Sequence, residues 1–238
     1  SNSTAIGAAS QATGNGSIAL GSAANAAGSG SQAFGYLAIA SGDNSQALGR
    51  EANANATGAI SIGRHSNARG EDSLGVGAFA CATGASSTAI GNFSLARGVA
   101  SIALGKVSDA TGDYSISLGS NSSSAAVNST SLGADSNAFA GNSTAIGSLA
   151  KATGSSATAL GRNADARNIS STSVGRDSRA IGENSTALGA EAYAIGNRSV
   201  SIGYQAGGTS RGTKSGNHSV SLGSFSYALG NNSIAIGR

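Results

Sequence analysis

The side chains able to do chemistry are few. The chain has two histidines, His65 and His218, one cysteine, Cys81, 11 Asp and Glu, and neither Met nor Trp. A Ser–His–Asp centre needs a histidine held against a serine, yet both histidines fall in turns by the register set out below, and the serines form inward-facing columns. A zinc site needs converging His, Cys or carboxylate ligands; His65 and His218 are isolated, and a turn histidine reads as solvated. Calcium-binding β-rolls repeat an Asp in nine-residue units, whereas Asp here is sparse and off that period. The glycines lack the G-K-[ST] ending and following helix of a phosphate loop. Basic residues alternate with acidic ones, unlike a nucleic-acid surface. These readings predict no catalytic residue, no metal and no cofactor. Cys81 is expected to be a free thiol; such scarcity of cysteine fits export through an oxidising compartment.

What would position any site is a repeat. In "SIALGKVSDATGDYSISLG" (Ser101 to Gly119) the same phrase returns after fourteen residues, with a weaker copy halfway. A large apolar residue precedes Gly at Ile6, Leu20, Phe34, Leu48, Ile62, Val76, Ile90, Leu104, Leu118, Leu132, Ile146, Leu160, Val174, Leu188 and Ile202, always fourteen apart. After a six-residue insertion within 204–216 the series resumes at Leu222 and Ile236. Three before this marker stands Ser, except at Ala59 and Ala157; one before, always Ala, Ser or Gly; four after, Ser or Ala; six after, almost always Ala. A Gly every seven residues costs a helix about 1 kcal/mol each relative to Ala, which excludes a coiled coil. Short alternating runs between turn residues read instead as strands. Each fourteen-mer is therefore one coil of a parallel β-solenoid: strand A, turn, strand B, turn.

Alternation then assigns the faces. In strand A the Ser and Ala columns share one side, and the marker and the residue two before it share the other. Placing the small columns of both strands inside makes a thin, flat roll; the opposite choice, with Ile and Leu inside, makes a thicker one. The 39% hydrophobic content is mostly Ala, too small to fill a thick core, and the thin roll is adopted. Strand A then shows a charge-free apolar face, which cannot stay in water. The predicted self-association residues are Ile6, Leu20, Phe34, Leu48, Ile62, Ile90, Leu104, Leu118, Leu132, Ile146, Leu160, Leu188, Ile202, Leu222 and Ile236. On the same face Thr130, Thr144, Thr158, Thr172 and Thr186 form a ladder that, with Gln32 and Gln46, is expected to line an axial channel holding water or an anion. Ranked Thr also suits an ice-binding solenoid, an alternative function. Strand B's outward face offers Arg69, Arg97, Lys151, Arg167, Arg179, Phe139 and Tyr193 as a candidate ligand-binding surface. Turns add Tyr36, Phe79, Phe93, Tyr114, Tyr204 and Phe225.

The unit S-x-A-(I/L)-G-x-x-(S/A)-x-A-x-G-x-x recurs in "NSTAIGSLAKATGSSATALG" (Asn142 to Gly161) and "NSTALGAEAYAIGNRSVSIG" (Asn184 to Gly203). It resembles the head repeat of trimeric autotransporter adhesins of the YadA type, over essentially the whole chain. The resemblance implies a left-handed parallel β-roll, a homotrimer, and display on the outer membrane of Gram-negative bacteria as a virulence-associated adhesin. It further implies binding of collagen, fibronectin or laminin in the host extracellular matrix, and self-association. The family's neck motif, stalk heptads and anchor strands are not seen in residues 1–238, which read as a single head domain. A phage or viral fibre segment built on the same repeat is the other alternative.

Composition agrees with a regular, exposed fold. Charged residues are 11% and net charge is +3, while apolar residues recur too regularly for a disordered chain. No apolar run approaches the roughly 18 residues of a membrane span. Without an initiating Met or a signal-peptide pattern, the chain is expected to be a mature fragment or an excised segment.

Overall fold

The computed structural model describes residues 2–207 and 215–237; the greater part of the predicted insertion, 208–214, lies outside the described residues. Contacts divide the chain into two compact units, Ser1–Asn121 and Ser122–Arg238. In the first unit, three-residue A strands run from Thr4–Ile6 to Ile116–Leu118, alternating with two-residue B strands from Gln11–Ala12 to Asp109–Ala110. The second unit repeats the plan, with A strands from Thr130–Leu132 to Ile234–Ile236 and B strands from Ser123–Ser124 to Tyr193–Ala194. All pairings within each unit are parallel and one coil apart, as in Ile18↔Gln32 and Leu20↔Phe34 for strand A and Asn67↔Cys81 for strand B. The step spans the insertion without loss of register: Val200 pairs with Val220 and Ile202 with Leu222. Each unit is thus a parallel β-solenoid of fourteen-residue coils.

The seven-residue half-repeat has a definite cause: each coil closes with two β-turns of one kind. In one, Ser10 N–H donates to Gly7 O (3.3 Å); in the next, Ser17 N–H donates to Gly14 O (3.2 Å). The third residue of each turn has positive φ, Ala9 at 56° and Gly16 at 68°, as a type II turn requires. Asn44, Asp72, Asn128 and Asn142, each just before a repeat Ser, adopt this region, which Asn and Asp tolerate better than most residues. The second such position, three after the marker, has no sequence signature: Leu37, Phe79 and Val107 occupy it with φ of 54–59°.

The two glycine columns serve different needs. Gly21, just after a marker, has φ +136°, and an added Cβ would meet Gly35 O at 2.5 Å. Gly28 has no positive φ; a Cβ there would meet Gly42 O at 1.9 Å. At Gly28 the next coil lies too close for a Cβ, although Ala56, Ala126, Ala140 and Asn168 fill the same turn position in other coils.

The interior is made of Ala and Ser. In one coil Ser17, Ala19, Ala24 and Ala26 are fully buried while Leu20 is 46% exposed. The arrangement with Ile and Leu inside is excluded, and the small columns face each other across the roll. Such a core buries little apolar area per coil, so backbone ladders carry much of the cohesion.

Candidate binding surfaces

Strand A's outer face carries no charge and leaves its large apolar residues uncovered. No marker residue is buried: Ile6, Leu20, Leu104, Leu132, Leu160 and Leu188 are 42–59% exposed, and Phe34, Leu48, Val76, Ile90, Leu118, Ile146, Val174, Ile202 and Leu222 are half-buried by their own neighbours in the column. In the second unit, pairings place Thr130, Thr144, Thr158, Thr172 and Thr186 on adjacent rungs, each half-buried beside the marker column. Gln32 and Gln46 are neighbours in the same way in the first unit.

Strand B's outer face is wet, and it differs from expectation at one residue. Arg69, Arg97, Lys151, Arg167 and Phe139 are exposed and Arg179 is half-buried. Tyr193, predicted as an exposed anchor, is only 5% exposed. The Arg179 guanidinium lies over its ring, 5.5 Å from the centroid, and Tyr193 N–H donates to Ala206 O in the next rung. Tyr193 is therefore a packing residue and is withdrawn from the surface. Arg167 is also less free than its exposure suggests: its Nε and Nη2 reach Asp165 Oδ2 at 2.8 and 2.6 Å, with Asp165 itself buried. Asp109 holds the corresponding strand B position in the first unit; burial pushes its carboxyl above the usual carboxylate range, against the opposing pull of Arg97. Cys81 is a free thiol, half-buried in this column.

The turns hold relationships that spacing alone does not reveal. His65, expected to be a solvated histidine, places Nδ1 2.9 Å from Glu51 Oε2. Its ring stacks on Phe79 at 5.0 Å, and Phe79 stacks on Phe93 at 4.8 Å with parallel planes. These residues occupy one turn position in successive coils, so the rise between coils sets the stacking distance. Arg64 covers Phe79 at 5.0 Å. In the second unit the equivalent ridge is ionic: Arg162 pairs with Asp177 (3.3 Å) and Arg176 with Glu191 (3.0 Å). Of the insertion's described flanks, Tyr204 meets Phe225 edge-on at 5.3 Å. Ser215 Oγ accepts the Ile195 N–H (2.8 Å), a role filled in the preceding coil by a carbonyl, Ala194 O to Ile181 N–H.

The opposite turn ridge of the second unit gathers Glu183, Asn184, Asn197, Arg198, Asn217 and His218 around a cleft. Sequence reading missed this group except for placing His218 in a turn. Its only sequence signal was a run of polar residues at two turn columns in three successive coils. Among the described residues no three His, Cys, Asp or Glu side chains converge as a metal site would need.

The model of the YadA head domain repeat matches residues 1–24, 12–38, 26–52, 40–66, 68–94, 96–122, 124–150, 140–164, 152–178, 180–206 and 215–238. Among solved structures, the crystal structure of the collagen-binding domain of the Yersinia adhesin YadA aligns at 22% identity, with a TM-score of 0.30, over 78% of this chain and 69% of that one. Comparison with curated proteins gave no match.

Proposed function

The chain belongs to the YadA head domain repeat family, and on that basis we propose that it is the adhesive head of a trimeric autotransporter, non-enzymatic, displayed on the outer surface of a Gram-negative cell. The observation that carries the reading is the uncovered marker column, with Leu104, Leu132 and Leu160 more than two-fifths exposed on a face free of charge. Burying each such side chain is worth about 1.5–3 kcal/mol, and three copies closing A face to A face around an axis bury all of them. In that assembly the markers form the trimer interface. Thr130, Thr144, Thr158, Thr172 and Thr186, with Gln32 and Gln46, line polar stretches of the axis that hold water or an anion, which needs several polar partners to stay.

The wet B face is left outward, and Arg69, Arg97, Lys151, Arg167, Arg179 and Phe139 are the proposed contacts to host matrix proteins, collagen first and fibronectin or laminin as alternatives, with self-association between heads. Many weak contacts repeated along three chains gain strength by multivalency. Light-scattering mass tests the assembly: three times the 22.6 kDa chain, about 68 kDa, is expected, and a stable particle of single-chain mass overturns it. Surface plasmon resonance on immobilised collagen tests the partner, with binding expected to fall when Arg69, Arg97 and Arg179 are replaced together by Ala.

A further inference from the structure

The polar cleft on the second unit's turn ridge is used by neither the association face nor the basic face. Its volume is about 210 Å³, below the roughly 300–1,000 Å³ of pockets for drug-sized ligands, so its occupant is about one ring in size. Three successive coils each supply the two central residues of a turn: Glu183 with Asn184, Asn197 with Arg198, and Asn217 with His218.

Glu183 and Arg198 share this cleft without forming an ion pair with each other. Arg50, Arg162, Arg167 and Arg176 all have a carboxylate within hydrogen-bond reach. Arg198 forms no ion pair among the described residues; its Nη1 lies 3.2 Å from His218 Nε2. Glu183 faces the same cleft, and its carboxylate takes one long bond, 3.4 Å from Asn184 Nδ2. The asparagines are held in place. Asn197 Oδ1 accepts Glu183 N–H (3.0 Å), Asn217 Oδ1 accepts Asn197 N–H (2.9 Å), and Asn231 Oδ1 accepts Asn217 N–H (3.0 Å). These staples engage the amide oxygens of Asn197 and Asn217 and leave their NH2 groups as donors on rungs fixed by the backbone.

The cleft therefore presents a guanidinium, an imidazole and amide donors opposite one acceptor carboxylate. Its complement carries one anionic oxygen group for Arg198, and neutral groups that donate to Glu183 while accepting from the amides. A bare phosphate satisfies the first demand and is repelled by Glu183. A sugar acid, with one carboxylate beside several hydroxyls, satisfies both. We propose that this cleft is a binding subsite for a terminal sugar acid of a cell-surface glycan. The site is independent of the matrix-protein reading, because a free monosaccharide can be measured on its own.

The test is saturation-transfer NMR on the full 238-residue chain, titrated with methyl α-N-acetylneuraminide, methyl β-glucuronide and, as neutral control, methyl β-glucoside. Saturable binding of one or both acids, and none of the glucoside, is expected; which acid binds identifies the glycan class. Arg198→Ser removes the anion's partner. Ser86, Ser156 and Ser170 hold the same turn position at φ 54–56°, as Arg198 does at 56°, so the turn is retained. Binding should weaken roughly tenfold, the loss of about one charge-assisted hydrogen bond (about 1.4 kcal/mol), and less for His218→Asn. Glucoside binding as strong as that of the acids, competition by inorganic phosphate at equal concentration, or an Arg198→Ser variant that binds as before overturns the proposal. Collagen binding, measured separately, reports on the other reading alone.

Discussion

Ser61 Oγ lies 2.7 Å from Ser66 Oγ across the interior of one coil. The pairing recurs as Ser131 with Ser136 (2.6 Å) and Ser173 with Ser178 (2.7 Å). Some coils have Ala at both positions, as in Ala19 with Ala24, Ala33 with Ala38 and Ala47 with Ala52, all fully buried; others have Ala at the first position only, where Ser94 and Ser108 keep their own bonds to Gly91 O and Gly105 O. A hydroxyl inside so thin a roll needs a partner, since an orphaned buried donor costs about 1–3 kcal/mol. Ser66 keeps a second bond to Gly63 O (2.9 Å), so the two serines are not equivalent. Ser66→Ala is expected to destabilise by about 1–3 kcal/mol and Ser61→Ala by much less, and the double variant should recover most of the loss. Urea unfolding of all four proteins measures this cycle; simple additivity would remove the pairing argument.

Val107 holds φ +57°, a left-handed conformation that costs an ordinary L-residue about 1–2 kcal/mol, and β-branching worsens it. Asn121 and Asn163 occupy the same column. Val107→Asn should therefore raise stability by about 1 kcal/mol, read as a higher Tm in calorimetry, although it removes an apolar side chain.

Gly28 and Gly16 should respond in opposite ways. Gly28→Ala drives a Cβ into the next coil's backbone at Gly42, whereas a Cβ on Gly16 meets nothing within 4 Å. The first variant is expected to lose several kcal/mol or fail to fold. Gly16→Asn, a residue that tolerates the turn's left-handed region, should stay within about 1 kcal/mol. Thermal unfolding of the pair decides; equal effects would mean that coil spacing does not set the glycine column.

Asp109 has its carboxyl pKa raised, by burial first and against the pull of Arg97. A carboxyl with a folded value above its unfolded one favours the folded state when protonated. Its contribution is thus best at acid pH and is lost as pH rises from the unfolded value of 3.8 through the folded one. Asp109→Asn, matching Asn53 and Asn67 in the same column, should be more stable than the parent at pH 7, with the difference vanishing toward pH 3. Unfolding at both values provides the check.

Leu104→Glu places a charge on the face proposed to close the trimer. An unpaired buried carboxylate costs several kcal/mol, so light scattering should show the threefold mass lost while circular dichroism retains the β signal. Retention of the oligomer would move the interface elsewhere.

The fourteen-residue period, the alternation of small and large residues within strands and the burial of the small columns were all legible in the sequence, because each depends on neighbours two to four positions apart and is repeated until no single exception matters. The left-handed position three after the marker was hidden, since Leu37, Phe79 and Val107 carry no turn signature and only the closing turn demands that conformation. The two glycine columns looked alike and proved to differ, as φ and inter-coil clearance leave the same letter.

The residue pattern by itself determined that this chain winds into coils, keeps Ala and Ser within and turns its Ile and Leu outward; local sterics and strand alternation suffice for that. Tertiary structure alone decided which turn residues meet: that His65 stacks on Phe79, that Arg179 covers Tyr193, and that Glu183, Arg198 and His218 share one cleft. These partners stand fourteen or more residues apart, and only the stacking of one coil on the next, at a spacing set by backbone hydrogen bonds, brings them within reach.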